Sequence, residues 1–191
     1  MHILTSLIIA LIPLTIAKPH PVHQAPNLSP SQCPDPSAPN SFTFSSFAYL
    51  RYTTSDNPMP PAPQPNTTQL VFVLENASTG VSTGCAIQNM MDGDGNWADD
   101  SRVWYQCVDR AVTGADGVQR AVRTRAHVIW DEWRVAVNQT WACDDSTTVS
   151  QFAALTLTPT CSVTTTSWQN IKSCEAPDVV VSTTSHESTI L

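Results

Sequence analysis

Along much of this chain apolar and polar residues alternate one by one. Leu70, Phe72 and Leu74 interleave with Val71 and Val73. Val122, Thr124, Ala126, Val128 and Trp130 share one face of an extended segment, and Arg123, Arg125 and His127 share the other. Trp133, Val135, Val137, Gln139, Trp141 and Cys143 alternate with Arg134, Ala136, Asn138 and Thr140. A period of two is the signature of a strand, and Asp131-Glu132 is the expected turn between the last two runs. Segments 41–52, 81–88, 103–108, 152–158 and 161–166 read as further strands. No stretch shows the periodicity of a helix of ordinary length. Several short strands at close spacing predict an all-β fold, an antiparallel β-barrel or sandwich.

Proline sets the limits of that domain. Seven of the 15 prolines fall between positions 19 and 39 and five between 58 and 65. None falls between Asn66 and Thr158. Proline removes a backbone donor and is excluded from central strands. Residues 18–40 are therefore expected to be an extended Pro-rich lead-in, and 56–64 a long loop. The β-domain is expected to span 41–175, followed by a flexible Ser/Thr-rich tail at 176–191. Residues 1–17 read as a signal peptide: an apolar run at 4–16 ends in Thr15-Ile16-Ala17, with small residues where cleavage needs them. The run is too short to span a bilayer. Segment 179–191 lacks the hydrophobic tail of a lipid-anchor signal. Secretion without a membrane anchor is the expectation.

Composition narrows the function. The 191 residues carry a net charge of −7 and only two lysines, which argues against nucleic acid, since phosphates are neutralised by clustered Lys and Arg. Cys33, Cys85, Cys107, Cys143, Cys161 and Cys174 are even in number behind a secretory leader, so disulfides are the natural reading, with 15 connectivities open. The close Cys or His pairs of a zinc site do not occur. Asp92-Gly93-Asp94-Gly95-Asn96 begins like a calcium loop, but Trp97 and Val103 stand where an EF-hand needs Gly and Glu, so the segment reads as an acidic turn. No metal and no cofactor are expected.

Four N-x-S/T sequons, at Asn27, Asn66, Asn76 and Asn138, are expected to be exposed, which would leave a partner to bind elsewhere. Six of the nine basic residues fall between Arg102 and Arg134. Among them Arg123 and Arg125, with His127, form a stripe suited to carboxylates or sulfated glycans, the candidate partner-binding surface. Trp130 and Trp133 would stack on sugars if exposed. Gly80-Val81-Ser82-Thr83-Gly84 matches the nucleophile-elbow pattern of serine esterases, with His127 as the base in that reading. The elbow needs a following helix, and Cys85-Ala86-Ile87-Gln88 reads as a strand, so a hairpin is the better interpretation.

A set of landmarks resembles a known family. A Cys-Pro at Cys33-Pro34 precedes Ser41-Phe42-Thr43-Phe44-Ser45-Ser46-Phe47. Cys85 is followed by Trp104-Tyr105-Gln106-Cys107, and a strand ends on Thr140-Trp141-Ala142-Cys143. Together these resemble the Alternaria major-allergen-like family of small fungal secreted proteins. The resemblance implies an antiparallel β-barrel or sandwich without a catalytic centre, acting at the host interface as allergen, elicitor or effector. It implies a Cys85–Cys107 disulfide, a later partner for Cys143, and Cys33 as a cysteine able to link a homodimer. The expected function is non-catalytic recognition of a host extracellular protein or a cell-wall component. A wall-glycan-binding protein and a Ser82 esterase are the alternatives.

Overall fold

The computed structural model describes residues 40–54, 66–91, 96–99, 101–113 and 117–189. The expected signal peptide, the lead-in with Cys33 and Asn27, the 56–64 loop and the Asp92–Gly95 part of the acidic turn lie outside them. The described chain forms twelve strands: β1 (Ser41–Thr54), β2 (Thr67–Asn76), β3 (Val81–Met90), β4 (Trp104–Gln106), β5 (Arg110–Thr113), β6 (Gln119–Ile129), β7 (Arg134–Ala142), β8 (Thr147–Thr156), β9 (Thr160–Thr165), β10 (Gln169–Ala176), β11 (Val179–Ser182) and β12 (Thr184–Thr189). They make two six-stranded antiparallel sheets. One runs β3-β2-β1-β10-β9, with β11 also on β1; the other runs β12-β8-β7-β6-β4, with β5 also on β6. The fold is all-β, as the alternation requires.

The inward faces follow the alternating pattern. Leu70, Phe72 and Leu74 of β2 face Ala126, Val128, Val135 and Val137 of β6 and β7 in one buried cluster. Phe42, Phe44, Phe47 and Tyr49 of β1 join it, and Phe44 and Phe47 both pack on Phe72, at 5.8 and 5.5 Å between ring centroids. Keeping all these rings inside requires an adjustment within β1. Its register against β2 shifts between Ser45 and Ala48, and Ser46 takes a φ of 56° there. Such a bulge re-aims the side chains that follow it. The Ser46 N–H donates to Asp178 Oδ1 at 3.3 Å, which ties the bulge to the start of β11.

A smaller apolar cluster of Val81, Val122, Trp141 and Val149 lies towards the other end of the sheets. Near it is a layer of polar side chains. Asn76 Nδ2 donates to Gln139 Oε1 at 2.6 Å and to Gln151 Oε1 at 3.0 Å. Gln139 Nε2 donates to Thr124 Oγ1 at 2.9 Å, and Gln151 Nε2 to Ser78 Oγ at 3.0 Å. Asn76, Gln139, Gln151 and Thr124 are all fully buried. Buried amides persist only when they are paired, so this network fixes how one sheet sits on the other.

The sheets are fastened at both sides. Between β4 and β5 the chain leaves β6 and reaches β3. The Val108 N–H donates to the Gly84 carbonyl at 2.9 Å, and Cys107 is bonded to Cys85. At the opposite side β11 pairs with β1, and after Thr183 the chain continues as β12 on β8 in the other sheet. The stretch expected as a flexible tail thus carries two strands. Its Ser and Thr residues satisfy ladder hydrogen bonds without needing a continuous apolar face, so they give no strong pattern.

The Cys85–Cys107 pairing agrees with the expectation. Cys161 pairs with Cys174, its direct cross-strand partner on β10. The later partner expected for Cys143 is therefore corrected, because both later cysteines are committed to each other. Cys143 is disulfide-bonded as well.

Candidate functional site

At the end of the sheets away from the small cluster, the inward rows finish in polar residues. Arg51 continues the row of Phe47 and Tyr49 on β1. Thr68 continues Leu70 on β2, and Asn89 continues Ile87 on β3. Arg51 is paired with Thr68 and Thr68 with Asn89, so the three lie side by side across the sheet. Above them the chain after β3 folds back, with the Ala98 N–H donating to the Met90 carbonyl at 2.8 Å. This return brings Trp97 and Asp99 over the end of the sheet. The β6–β7 turn at 130–133 adds Trp130 and Asp131. Its last residue, Trp133, has a φ of 54°, a left-handed conformation that closes a four-residue hairpin loop. The result is a pocket of about 260 Å³ lined by Tyr49, Arg51, Thr68 and Asn89 from the sheet, and by Trp97, Asp99, Ser101, Trp130 and Asp131 from the two loops.

Asp99 organises this end. It is buried, and its Oδ2 accepts from Tyr105 OH at 2.8 Å and Trp130 Nε1 at 3.1 Å, while Oδ1 accepts from the Ser101 N–H at 2.8 Å. Its own backbone is clasped by the Asn89 amide, which accepts at 2.8 Å and donates at 3.1 Å. Donors on both oxygens fix the carboxylate in place and gather Tyr105, Trp130 and Ser101 around it. Burial, then the hydrogen bond to Asp99 and its charge, pushes the Tyr105 phenol well above the usual tyrosine range. A raised folded-state value favours the protonated form. The linked stability is fully present below the unfolded value of about 10 and is lost only as pH rises through the folded one. In an alkaline absorbance titration of the three tyrosines, a Tyr105 component should stay un-ionised past about pH 11. Tyr105→Phe should remove that resistant component, and its persistence in the variant would contradict the assignment.

Arg51 and Lys172 are direct cross-strand partners on β1 and β10. Each cation rests on a tryptophan: Arg51 Cζ is 5.0 Å from the Trp97 ring centre and Lys172 Nζ 5.6 Å from that of Trp133. Arg51 Nε is buried without a hydrogen-bond partner. Like charges placed opposite each other in a sheet repel.

The residues expected from sequence fall elsewhere. Arg123 and Arg125 are exposed on the outer face of β6, as the alternation predicts. His127 is half-buried, with Nε2 2.6 Å from the Ser101 carbonyl oxygen and its ring stacked on Trp104 at 5.3 Å. The stripe does not lie on a sequon-free surface: Asn138 is the direct partner of Arg125, on the same face. The expected exposure of Asn76 is also corrected, since its Nδ2 is spent inside the polar layer. Asn66 is half-buried, its Oδ1 accepting from the Thr54 N–H at 2.7 Å. Trp130 and Trp133 are half-buried rather than free platforms, and Tyr49 meets the Trp133 ring edge-on at 4.7 Å. Ser82 lies on the exposed side of β3 in one sheet and His127 in the other, and the turn at 77–80 leads into a strand, not a helix. That is the hairpin reading of the glycine motif.

Sequence reasoning missed Arg51, Thr68, Asn89 and Asp99. The first three carried a signal, because extending each inward row by two residues reaches them.

Fold and site together define an antiparallel two-sheet β-protein with an aromatic and polar pocket at one end. No family model matches the chain, and no curated protein matches it. A solved structure described as "Crystal structure of Alternaria alternata allergen Alt a 1" is similar at 14% identity and a TM-score of 0.38, over 78% of this chain and 88% of that one. A likeness of that size assigns neither family nor activity.

Proposed function

We propose that this is a secreted, non-catalytic recognition protein of the host or cell-wall interface, and that its pocket, not its arginine stripe, holds the ligand. The observation that carries this reading is the state of Asp99. The one buried carboxylate lining the pocket is held by three donors and serves to position Trp130 and the 97–101 loop. A buried carboxylate spent on positioning the walls suits a site that grips a ligand. The disulfides support an oxidising, extracellular setting. A sequon opposite Arg125 weighs against the stripe, since a glycan there would cover it.

Tryptophan emission reports the pocket directly, because Trp97 and Trp130 line it. Titration with solubilised wall fractions or host extracellular fluid should give a saturable change that Trp97→Ala removes. Ligand recovered from the protein should have unchanged mass. Release of altered product, abolished by Ser82→Ala, would establish the esterase alternative instead.

A further inference from the structure

Resting on the recognition reading above, we propose that the pocket takes the carboxylate of a single sugar-acid ring, a hexuronate, with the acid group on Arg51 and the ring against the aromatic wall. Three observations converge. The first is Arg51 itself, which lines the pocket and stays charged at all accessible pH; its Nε is enclosed, so a ligand's acid group meets the terminal nitrogens of the guanidinium. A planar guanidinium matches a carboxylate, through two parallel hydrogen bonds, better than any neutral group does.

The second is Lys172, set directly opposite Arg51 on the neighbouring strand. Among the described residues neither cation has an ion-pair partner. Two adjacent cations without a counter-ion, in a chain of net charge −7, mark a place where negative charge is wanted locally. Asp99 lines the same pocket, but its oxygens are held by Tyr105, Trp130 and Ser101 and form no ion pair with Arg51.

The third is the mixture on the walls. Of the nine lining residues three are aromatic and six are polar or charged. A purely aromatic acid would strip water from Ser101 and Asp131 and return no hydrogen bonds. A sugar ring has an apolar face for Trp130 and Tyr49, and hydroxyls for those polar groups. Asp131, exposed at the mouth, is an acceptor for a hydroxyl and a deterrent to a second negative charge. The volume, about 260 Å³, lies below the usual range for drug-sized ligands and suits one ring rather than an extended chain.

The test uses the full secreted chain, with galacturonate and glucuronate as acid probes, galactose and glucose as neutral ones, and benzoate as the aromatic acid. Binding is read by tryptophan emission and calorimetry. Hexuronate should bind saturably, the neutral hexose at least tenfold more weakly, and benzoate more weakly than hexuronate. Arg51→Gln should weaken hexuronate about tenfold or more and narrow the gap between acid and neutral sugar. Arg51→Lys, which keeps the charge without the fork, should fall between the two and serves if the glutamine variant does not fold.

Equal binding of acid and neutral sugars would overturn the carboxylate assignment, and tighter binding of benzoate would overturn the sugar. If no probe binds, while wall fractions or host fluid still shift the emission and Trp97→Ala abolishes that shift, the hexuronate is wrong and the recognition reading stands. If nothing shifts the emission, both fail.

Discussion

Asn76→Ala should destabilise the protein by about 3 kcal/mol or more and carry no compensating change in the pocket. The asparagine is 0% exposed and its Nδ2 is shared by two glutamine oxygens that belong to the opposite sheet. Removing it leaves Gln139 Oε1 and Gln151 Oε1 buried and unpaired, and each unsatisfied group costs about 1–3 kcal/mol. For a chain of this size each kcal/mol lowers the midpoint by about 2–4 °C, so a fall on the order of 6–12 °C is expected in a thermal melt. Adding Gln139→Leu should cost less than its effect alone, because one orphaned oxygen disappears with it. A fall of under about 1 kcal/mol for Asn76→Ala would mean that water replaces the amide and the network is not a lock. The same geometry predicts that peptide mass spectrometry finds Asn76 unmodified. A glycan is joined through Nδ2, and a sugar there has no space in the folded chain. Asn138, whose Oδ1 alone is engaged, by Thr140 and Ser150, is the sequon best placed for occupancy among the described residues.

Replacing Cys85 and Cys107 together by alanine should cost about 3 kcal/mol by the loop-entropy relation for a separation of 22 residues. Both sulfurs are buried in the main core, 2% and 6% exposed, so the loss of packing adds to the loss of the crosslink. The bridge also joins β3 to the break between β4 and β5, where Arg110 Nε donates to the Ser82 carbonyl at 2.9 Å and Thr83 Oγ1 to the Val108 carbonyl at 2.5 Å. Amide hydrogen exchange should therefore rise most along β3, β4 and β5 and little along β7 and β8. By contrast Cys161 is exposed on β9 while Cys174 is buried opposite Tyr49 of β1, so alanines at Cys161 and Cys174 should loosen the β9–β10 hairpin and the β1–β10 pairing and leave β3, β4 and β5 protected. Equal, global loss of protection in both variants would contradict this division.

Much of this could be read in the sequence, and for one reason. Where a strand buries one face, the pattern states it, so Val122–Val128 and Val135–Trp141 face inward as expected. β9 has no buried side chain and β10 only Cys174, so neither has an alternation to find. β11 and β12 are held by ladder bonds to β1 and β8, which composition does not encode. Asn76 is a sharper case. The three-residue sequon marks it as a surface site, yet the row Leu70, Phe72, Leu74 runs inward and reaches Asn76 next. Periodicity outranks the motif there, because burial is set by the strand and not by its neighbours in sequence. Asp99 had no such signal. Its position depends on a loop returning to β3, and only the folded chain brings Tyr105 and Trp130 to it.

The pairing of β1 with β10 and β11 also has a consequence in time. Phe47 stands opposite Ala176 and Ser41 opposite Ser182, so along one edge, at these positions, the first described strand finds its neighbours more than 120 residues on. The β6–β7–β8 meander can close on local contacts as soon as it is synthesised. The sheet that holds Arg51 cannot be completed until β10 and β11 have emerged. Such non-local pairing makes folding slow. During that delay β1, with its buried phenylalanines, waits half-partnered, and the yield of folded protein should depend more on residues 169–182, which carry β10 and β11, than on any stretch in the middle.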